Sequence, residues 1–221
     1  MTDINLYQAM SSLRAVRRLR PDPVPDASVR RILEAASWAP TGGNVQPWRV
    51  IVVRDPAKKK ALGEEYAKHW RTYAVRHMAK LDGAEEAVIE KARKTLGAGD
   101  YLAEHFGETP LVLVFCFNPN SMAITDEHLD RVSVVGGASV YTAVENVLLA
   151  CRAEGLGCVL TTLLCQSEPE VKSILGIPDA WGTAAAIPIG YPVGKGHGPL
   201  SRRPVEELTY ADSWKETWSS S

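Results

Sequence analysis

The sequence predicts an α+β fold, and three observations predict it. Short apolar runs of strand character recur at 49–53, 111–117, 155–164 and 184–191. Long, unevenly spaced helical segments separate them, so the regular strand–helix alternation of a parallel α/β sheet is missing. No internal repeat or low-complexity linker divides the chain. Its 221 residues, 45% hydrophobic and 23% charged, suffice for one soluble domain with a substantial core and at most an inserted flap.

The first helix is expected over 4–19, where Leu6, Met10 and Leu13 recur at helical spacing. RPDPVPD ends it, because proline cannot continue a helix and disfavours helix in the residue before. Asp26 or Ser28 caps a second helix, whose Val29, Ile32, Leu33 and Ala36 form one apolar stripe that stops before Pro40. RVIVV (49–53) is the first strand. From 57 to 105 the chain is rich in charge, alanine and aromatics, which predicts two or three amphipathic helices joined at Gly83 and at Gly97–Gly99 in a peripheral flap. LVLVFCF (111–117) reads as a buried strand. A deeply packed helix follows over 133–154, with Val140, Val144, Val147, Leu148 and Cys151 on one face. GLGCVLTTLL (155–164) and AAAIPIGY (184–191) supply the third and fourth strands. The tail has too little apolar periodicity for an element of its own. Tail and flap are both underemployed in a monomer, which suggests a dimer that shares them.

Charge and cysteine usage exclude several classes of function. A net charge of −1 recruits neither nucleic acid nor an anionic membrane. No apolar run reaches the roughly 20 residues of a membrane span, and no signal-peptide pattern opens the chain. Cys116, Cys151, Cys158 and Cys165 fit no metal or redox spacing, and the five histidines show no ligand-like pairing. His69 and His77 are expected on a solvated helix face. A reduced, cytoplasmic, metal-free protein is the expectation. There is no P-loop, the G-x-G of GLGCVL lacks a third glycine and precedes its strand, and no G-x-S-x-G elbow occurs. A chain without an evident nucleophile, metal or acid–base pair suits chemistry carried by a cofactor.

Two segments stand out as binding elements. Arg14, Arg17, Arg18 and Arg20 fall within seven residues, and Arg202 and Arg203 form a second pair. Guanidinium forks suit a phosphate monoester, whose charge approaches −2, although solvated surface charge is the commoner role of such pairs. The loop APTGGNVQPW (39–48) joins small residues (Thr41, Gly42, Gly43) to two side-chain amides (Asn44, Gln46). Such a loop admits a flat group and bonds its polar edge.

SSLRAVRRLRPDPVPD, WAPTGGNVQPWRVIVV, ENVLLACRAEGLGCVLTT and AAAIPIGYPVGK…SRRPVEEL resemble, in this order and spacing, the FMN-dependent nitroreductase family, over roughly 5–55 and 110–210. The resemblance implies a single α+β FMN-binding domain over 1–221, with a central, mainly antiparallel sheet flanked by helices. It also implies a helical flap at about 57–105, a C-terminal arm at about 200–221, and an intertwined homodimer with two FMN sites built from both chains. Arg14 and Arg17, with Ala15 between them, then match the phosphate ligands, assisted by Arg18, and Arg203 with Arg202 completes the clamp. Pro40, Thr41, Gly42 and Asn44 come from the partner, and Ser139 falls where members place a polar residue near the cofactor. Leu160, Thr161, Thr162 and Leu163 match the segment along the isoalloxazine ring. Two departures are visible: Leu13-Arg14-Ala15 replaces the common Arg-Arg-Ser, and Thr162 stands where some members carry an acid.

The chemistry so implied is a ping-pong reaction, in which NAD(P)H passes hydride to FMN N5 and a nitroaromatic, quinone or related acceptor takes it away. No side-chain acid or base is required. Tyr66, Trp70, Tyr73 and His77 of the flap are candidates to line the acceptor site, or else pack the flap onto the body. Reductive dehalogenation, oxygen-dependent flavin modification, and FMN storage or sensing without turnover are the alternatives.

Overall fold

LVLVFCF becomes one of two central strands of a sheet that is covered on both faces, which is why it reads as an unbroken apolar run. The computed structural model describes residues 4–218. Four strands, β1 (Trp48–Val53), β2 (Leu111–Phe117), β3 (Gly157–Cys158) and β4 (Gly182–Gly190), lie in the order β1-β2-β4-β3, and every pairing is antiparallel. A register shift between Phe115 and Cys116 marks an irregularity in the β2–β4 ladder.

Strand alternation divides the core in two. Leu111, Leu113 and Phe115 face one cluster with α2 (Asp26–Ser37) and α5 (Ala138–Ala153). The expected stripe of α2 holds: Val29, Ile32 and Ala36 are buried, and Leu33 packs against the same cluster. Arg31 clamps this layer with a two-pronged pair to Glu154, at 2.8 and 2.6 Å. Val112, Val114 and Cys116 face the other cluster, built with α3 (Pro56–Ala79), α4 (Glu86–His105) and α6 (Glu168–Leu175). Leu62, Tyr66, Trp70, Leu96 and Leu102 are buried there, so the segment 57–105 contributes to the core and is not a purely peripheral excursion.

Several elements differ from expectation. The first helix, α1, covers only Leu6–Ser12, opened by an Asn5–Gln8 capping box, and 13–20 is extended. Ser12 Oγ turns back to donate to Gln8 O at 2.5 Å, and beyond it the backbone finds better partners across the sheet edge than along a helix. Asp26 lies inside the first turn of α2, and Pro25 is its N-cap, without a side-chain bond. Gly83 does turn the chain between α3 and α4, with φ +76°, but Gly97 and Gly99 lie within α4 and do not break it. α5 starts at Ala138, after a short turn over Val135–Gly137. The third strand shrinks to Gly157–Cys158, followed by a single bridge from Thr161 to Ala186. Of the expected arm at 200–221, a turn at Val205–Glu207 and a Tyr210–Thr217 bridge are present; 219–221 lie outside the described residues. Among the described residues no helix is long and apolar enough to cross a membrane.

Candidate functional site

The extended segment after α1 is what aims the arginines. Val16 N donates to Cys158 O at 2.8 Å, Ala15 bridges Cys158 in parallel, and Leu19 bridges Pro192. Buried Val16 and Leu19 anchor the segment on β3, and Arg14 and Arg17 reach a cavity of about 380 Å³. Arg202 lines the same cavity, as do one carboxylate, Glu145, and the apolar Leu148, Val159 and Leu160. Arg203 is not on its lining. Arg18 is directed elsewhere, its guanidinium 4.5 Å above the Tyr101 ring, and Arg20 pairs with Asp22 and stacks on Tyr191.

The C-terminal segment is strapped across these arginines. Arg14 donates from Nε (2.9 Å) and Nη2 to Pro199 O, and Gly198 N donates to Ser12 O at 3.0 Å. His197 of the strap joins the arginine segment to the chain before β3: Nδ1 accepts from Arg14 N at 3.3 Å, and Nε2–H donates to Leu156 O at 2.8 Å. The lone His197 carries no sequence signal, because its partners are backbone groups far away in the chain. Glu145 was equally invisible, one charge on an otherwise packed helix.

Only neutral His197 can accept at Nδ1. Burial pushes its pKa below the ordinary 6.5, and the Arg152 charge acts the same way, opposed by the bond to Leu156. The unfolded chain therefore binds the extra proton more readily. The stabilisation is complete above pH 6.5 and is lost as pH falls through the lowered folded value. The expected cost of opening the strap is about 1 kcal/mol, or about 2–4 °C in Tm, between neutral and acidic pH. Thermal melts against pH should show that loss in the native protein, and His197→Gln should flatten it.

Arg17, Val159 and Leu160 also border a second cavity, of about 280 Å³. Thr161, Thr162 and Leu163 form part of its lining, opposed by Tyr66, Trp70, Tyr73 and His77. Thr161 is buried and locked, with its amide and carbonyl on Ala186 and its hydroxyl accepting from Leu163 N at 3.2 Å. A clasp holds this segment to α3: His69 meets Ser167 Oγ at 2.5 Å, and Ser167 donates to Glu65 at 2.5 Å. Neither histidine of α3 is therefore simply solvated, since His77 stacks on Tyr73 at 5.7 Å and lines the cavity. Buried Tyr66 has its hydroxyl pKa pushed up to about 12 by burial, with nearby Arg17 pulling the other way.

The opening loop lies in a different place. Gly43, Asn44 and Gln46 all take positive φ (59°, 57° and 51°), uncommon for the two amides. Gln46 Nε2 donates to Asn44 Oδ1 at 2.8 Å, and Gln46 N donates to Thr41 Oγ1 at 3.1 Å, so the amides sustain the strained turn. Gly42 N donates to Ser139 Oγ at 3.0 Å, and Thr142 donates to Pro40 O at 3.3 Å. Pro40, Thr41, Gly42, Asn44 and Ser139 thus form one exposed to half-buried group at the start of α5, and none of them lines either cavity. The residues expected to share a site fall into two separate halves.

A model of the nitroreductase family matches residues 11–191. An NADH dehydrogenase of Thermus thermophilus is 33% identical over 195 residues, covering 88% of this chain and 90% of that protein. A 5,6-dimethylbenzimidazole synthase of Rhodospirillum rubrum is 31% identical over 205 residues, 88% of this chain and 82% of its own length. The crystal structure of a nitroreductase-like protein of Desulfovibrio desulfuricans in complex with FMN is 25% identical, with a TM-score of 0.66 over 96% of this chain and 99% of that one. The family match takes in the extended arginine segment, the opening loop and the whole sheet, and the chain belongs to the nitroreductase family.

Proposed function

We propose that the chain is an FMN-dependent NAD(P)H oxidoreductase whose cofactor lies at the Arg14–Arg202 end of the trough formed by the two joined cavities, leaving the cavity of about 280 Å³ beside Tyr66 and Trp70 as the acceptor pocket. The observation that carries this reading is the donor set: three arginines, Arg14, Arg17 and Arg202, against one carboxylate, Glu145, line a cavity whose other edges are largely apolar. A phosphate monoester fits the cations, and the apolar body of a flavin fits Leu148, Val159 and Leu160. When bound, FMN supplies the redox chemistry, taking two electrons from NAD(P)H and yielding them to a nitroaromatic, quinone or related small acceptor. The chain's own residues bind and orient: Arg14, Arg17 and Arg202 hold charge, and Thr161–Leu163 present backbone along the trough. Tyr66, Trp70, Tyr73 and His77 exclude water from the open side. The test is the visible spectrum of the purified protein before and after anaerobic NAD(P)H. A flavin band that bleaches supports the reading; a band that persists supports storage or sensing; no flavin after reconstitution overturns it.

A second reading draws on the likeness to a 5,6-dimethylbenzimidazole synthase. Under air the reduced protein would then convert its flavin to a benzimidazole and leave an added acceptor untouched, which product analysis distinguishes.

The second half of the site comes from a partner subunit. Each chain presents its opening loop on a surface that also exposes Trp38 (77%) and Val134 (75%), an apolar area suited to a second copy. Mixing subunits tests this. Arg14→Ala and Asn44→Ala each damage both sites of their own dimers. A random hybrid carries both defects in one site and none in the other. Refolding equal amounts together should restore about one quarter of native sites. Recovery no better than the average of the two parents would refute a site built across chains.

A further inference from the structure

Trp70 occupies space that any other residue at position 99 would take from it. A Cβ built on Gly99 would lie 1.9 Å from Cζ2 and 2.1 Å from Cη2 of the indole. The overlap is with a rigid ring, so a side chain there must displace it. Further along the same edge of the ring, Nε1–H donates to Asp100 Oδ1 at 2.7 Å. Neither residue serves the helix it sits on: glycine inside a helix costs about 1 kcal/mol against alanine, and aspartate is a weak interior helix former. Adjacent in sequence, one makes room for the indole and the other fixes its rotation.

The fixed ring stands in a row. Tyr66 and Trp70 stack at 6.3 Å and 16°, Trp70 and Tyr73 meet at 5.4 Å and 38°, and Tyr73 and His77 at 5.7 Å and 24°. All four line the cavity of about 280 Å³. Ligand pockets commonly run from about 300 to 1,000 Å³, which places this one just below that range, fit for a molecule of a single ring. Aromatic walls favour flat guests that can offset-stack or meet them edge to face. We propose that Gly99 and Asp100 are positioning residues that lock Trp70 as the wall selecting flat, single-ring acceptors. The proposal rests on the reading of this cavity as the acceptor pocket.

The test bypasses NAD(P)H, which must enter the same pocket. Enzyme reduced anaerobically with dithionite is mixed with nitrobenzene or benzoquinone as flat probes. Ferricyanide, two molecules per flavin, is the probe that needs no stacking. Gly99→Ala should raise the half-saturating concentration of the flat probes about tenfold or more, with a smaller change in limiting rate, and leave ferricyanide and flavin content unchanged. Asp100→Leu should do the same more weakly, and Asp100→Asn, which keeps an acceptor oxygen, should restore native behaviour. Equal effects on flat probes and ferricyanide, or none on the flat probes, would overturn the proposal. If Gly99→Ala loses flavin or fold, the Asp100 pair decides: no difference between Leu and Asn refutes it. Native protein that holds no flavin would sink the underlying reading before any variant is made.

Discussion

Arg14→Ala should purify folded but largely without flavin. Charge-assisted hydrogen bonds are worth about 1.5–3 kcal/mol each, so losing one guanidinium from a clamp of three should weaken FMN binding roughly 100-fold. Arg14 does two jobs at once. Its Nε and Nη2 hold the strap at Pro199, which leaves further N–H donors on the fork to face the cavity. Its removal therefore loosens the segment that carries Arg202 as well as deleting a charge. Arg14→Lys keeps the charge but not the fork, so it should recover only part of the affinity. Arg18→Ala is the control: that guanidinium lies over Tyr101, away from the cavity, and its loss should change flavin affinity by less than about threefold. Titration with FMN, followed by fluorescence quenching, reads all three. Native affinity in Arg14→Ala would remove this residue from the clamp, and a large loss in Arg18→Ala would show that the clamp is elsewhere.

The parts of the fold legible in the sequence are those that local pattern decides. β1, β2 and β4 stand within two residues of their expected ends, because runs of apolar residues buried on one or both faces leave few other options. The α2 stripe was equally plain. Illegible were the places where tertiary partners override local preference. Residues 13–19 continue a weak helical pattern, yet they lie extended because Cys158 and Pro192 offer them backbone partners. The Gly97–Gly99 pair reads as a break but sits inside α4, where Gly99 answers to the Trp70 ring and not to the backbone. α6 had no reading at all, being a single amphipathic stretch of eight residues. At the site, the arginines and the opening loop were both recognisable, the first by charge density and the second by its glycine–amide composition. That they lie apart within one chain came only from the resemblance, since sequence order by itself carries no information about which copy supplies which half. His197 and the His69–Ser167–Glu65 clasp were hidden for a simpler reason: each joins residues more than forty positions apart, at least at one end.

Gly157→Val should cost both stability and flavin, and the two losses should come together. GLGC looked like a fragment of a nucleotide motif, but each glycine has a local mechanical cause. Gly155, at φ +74°, takes the left-handed turn that ends α5, after which Leu156 N bonds back to Cys151 O at 2.8 Å. Gly157 lies opposite Gly190 in the β3–β4 pair, and a Cβ on it would meet Val16 Cγ1 at 2.7 Å and Leu19 Cδ2 at 2.9 Å. Val16 and Leu19 are the buried anchors of the arginine segment, one on each side of Arg17. A valine at 157 must push that segment off the sheet edge. Overpacking of this kind costs about 1–3 kcal/mol, which in a domain of this size lowers Tm by about 2–4 °C per kcal/mol. A shift of even 1 Å in the arginines is enough to spoil a forked contact, so FMN affinity should fall at least tenfold in molecules that remain folded. Gly155→Ala separates the causes. It strains the helix end by about 1 kcal/mol but leaves the packing of Gly157 against Val16 and Leu19 unchanged, so Tm should fall with little loss of flavin affinity. If Gly157→Val instead melts early yet binds FMN as the native protein does, β3 is merely an edge strand, and the arginines take their positions from the strap at Pro199 alone.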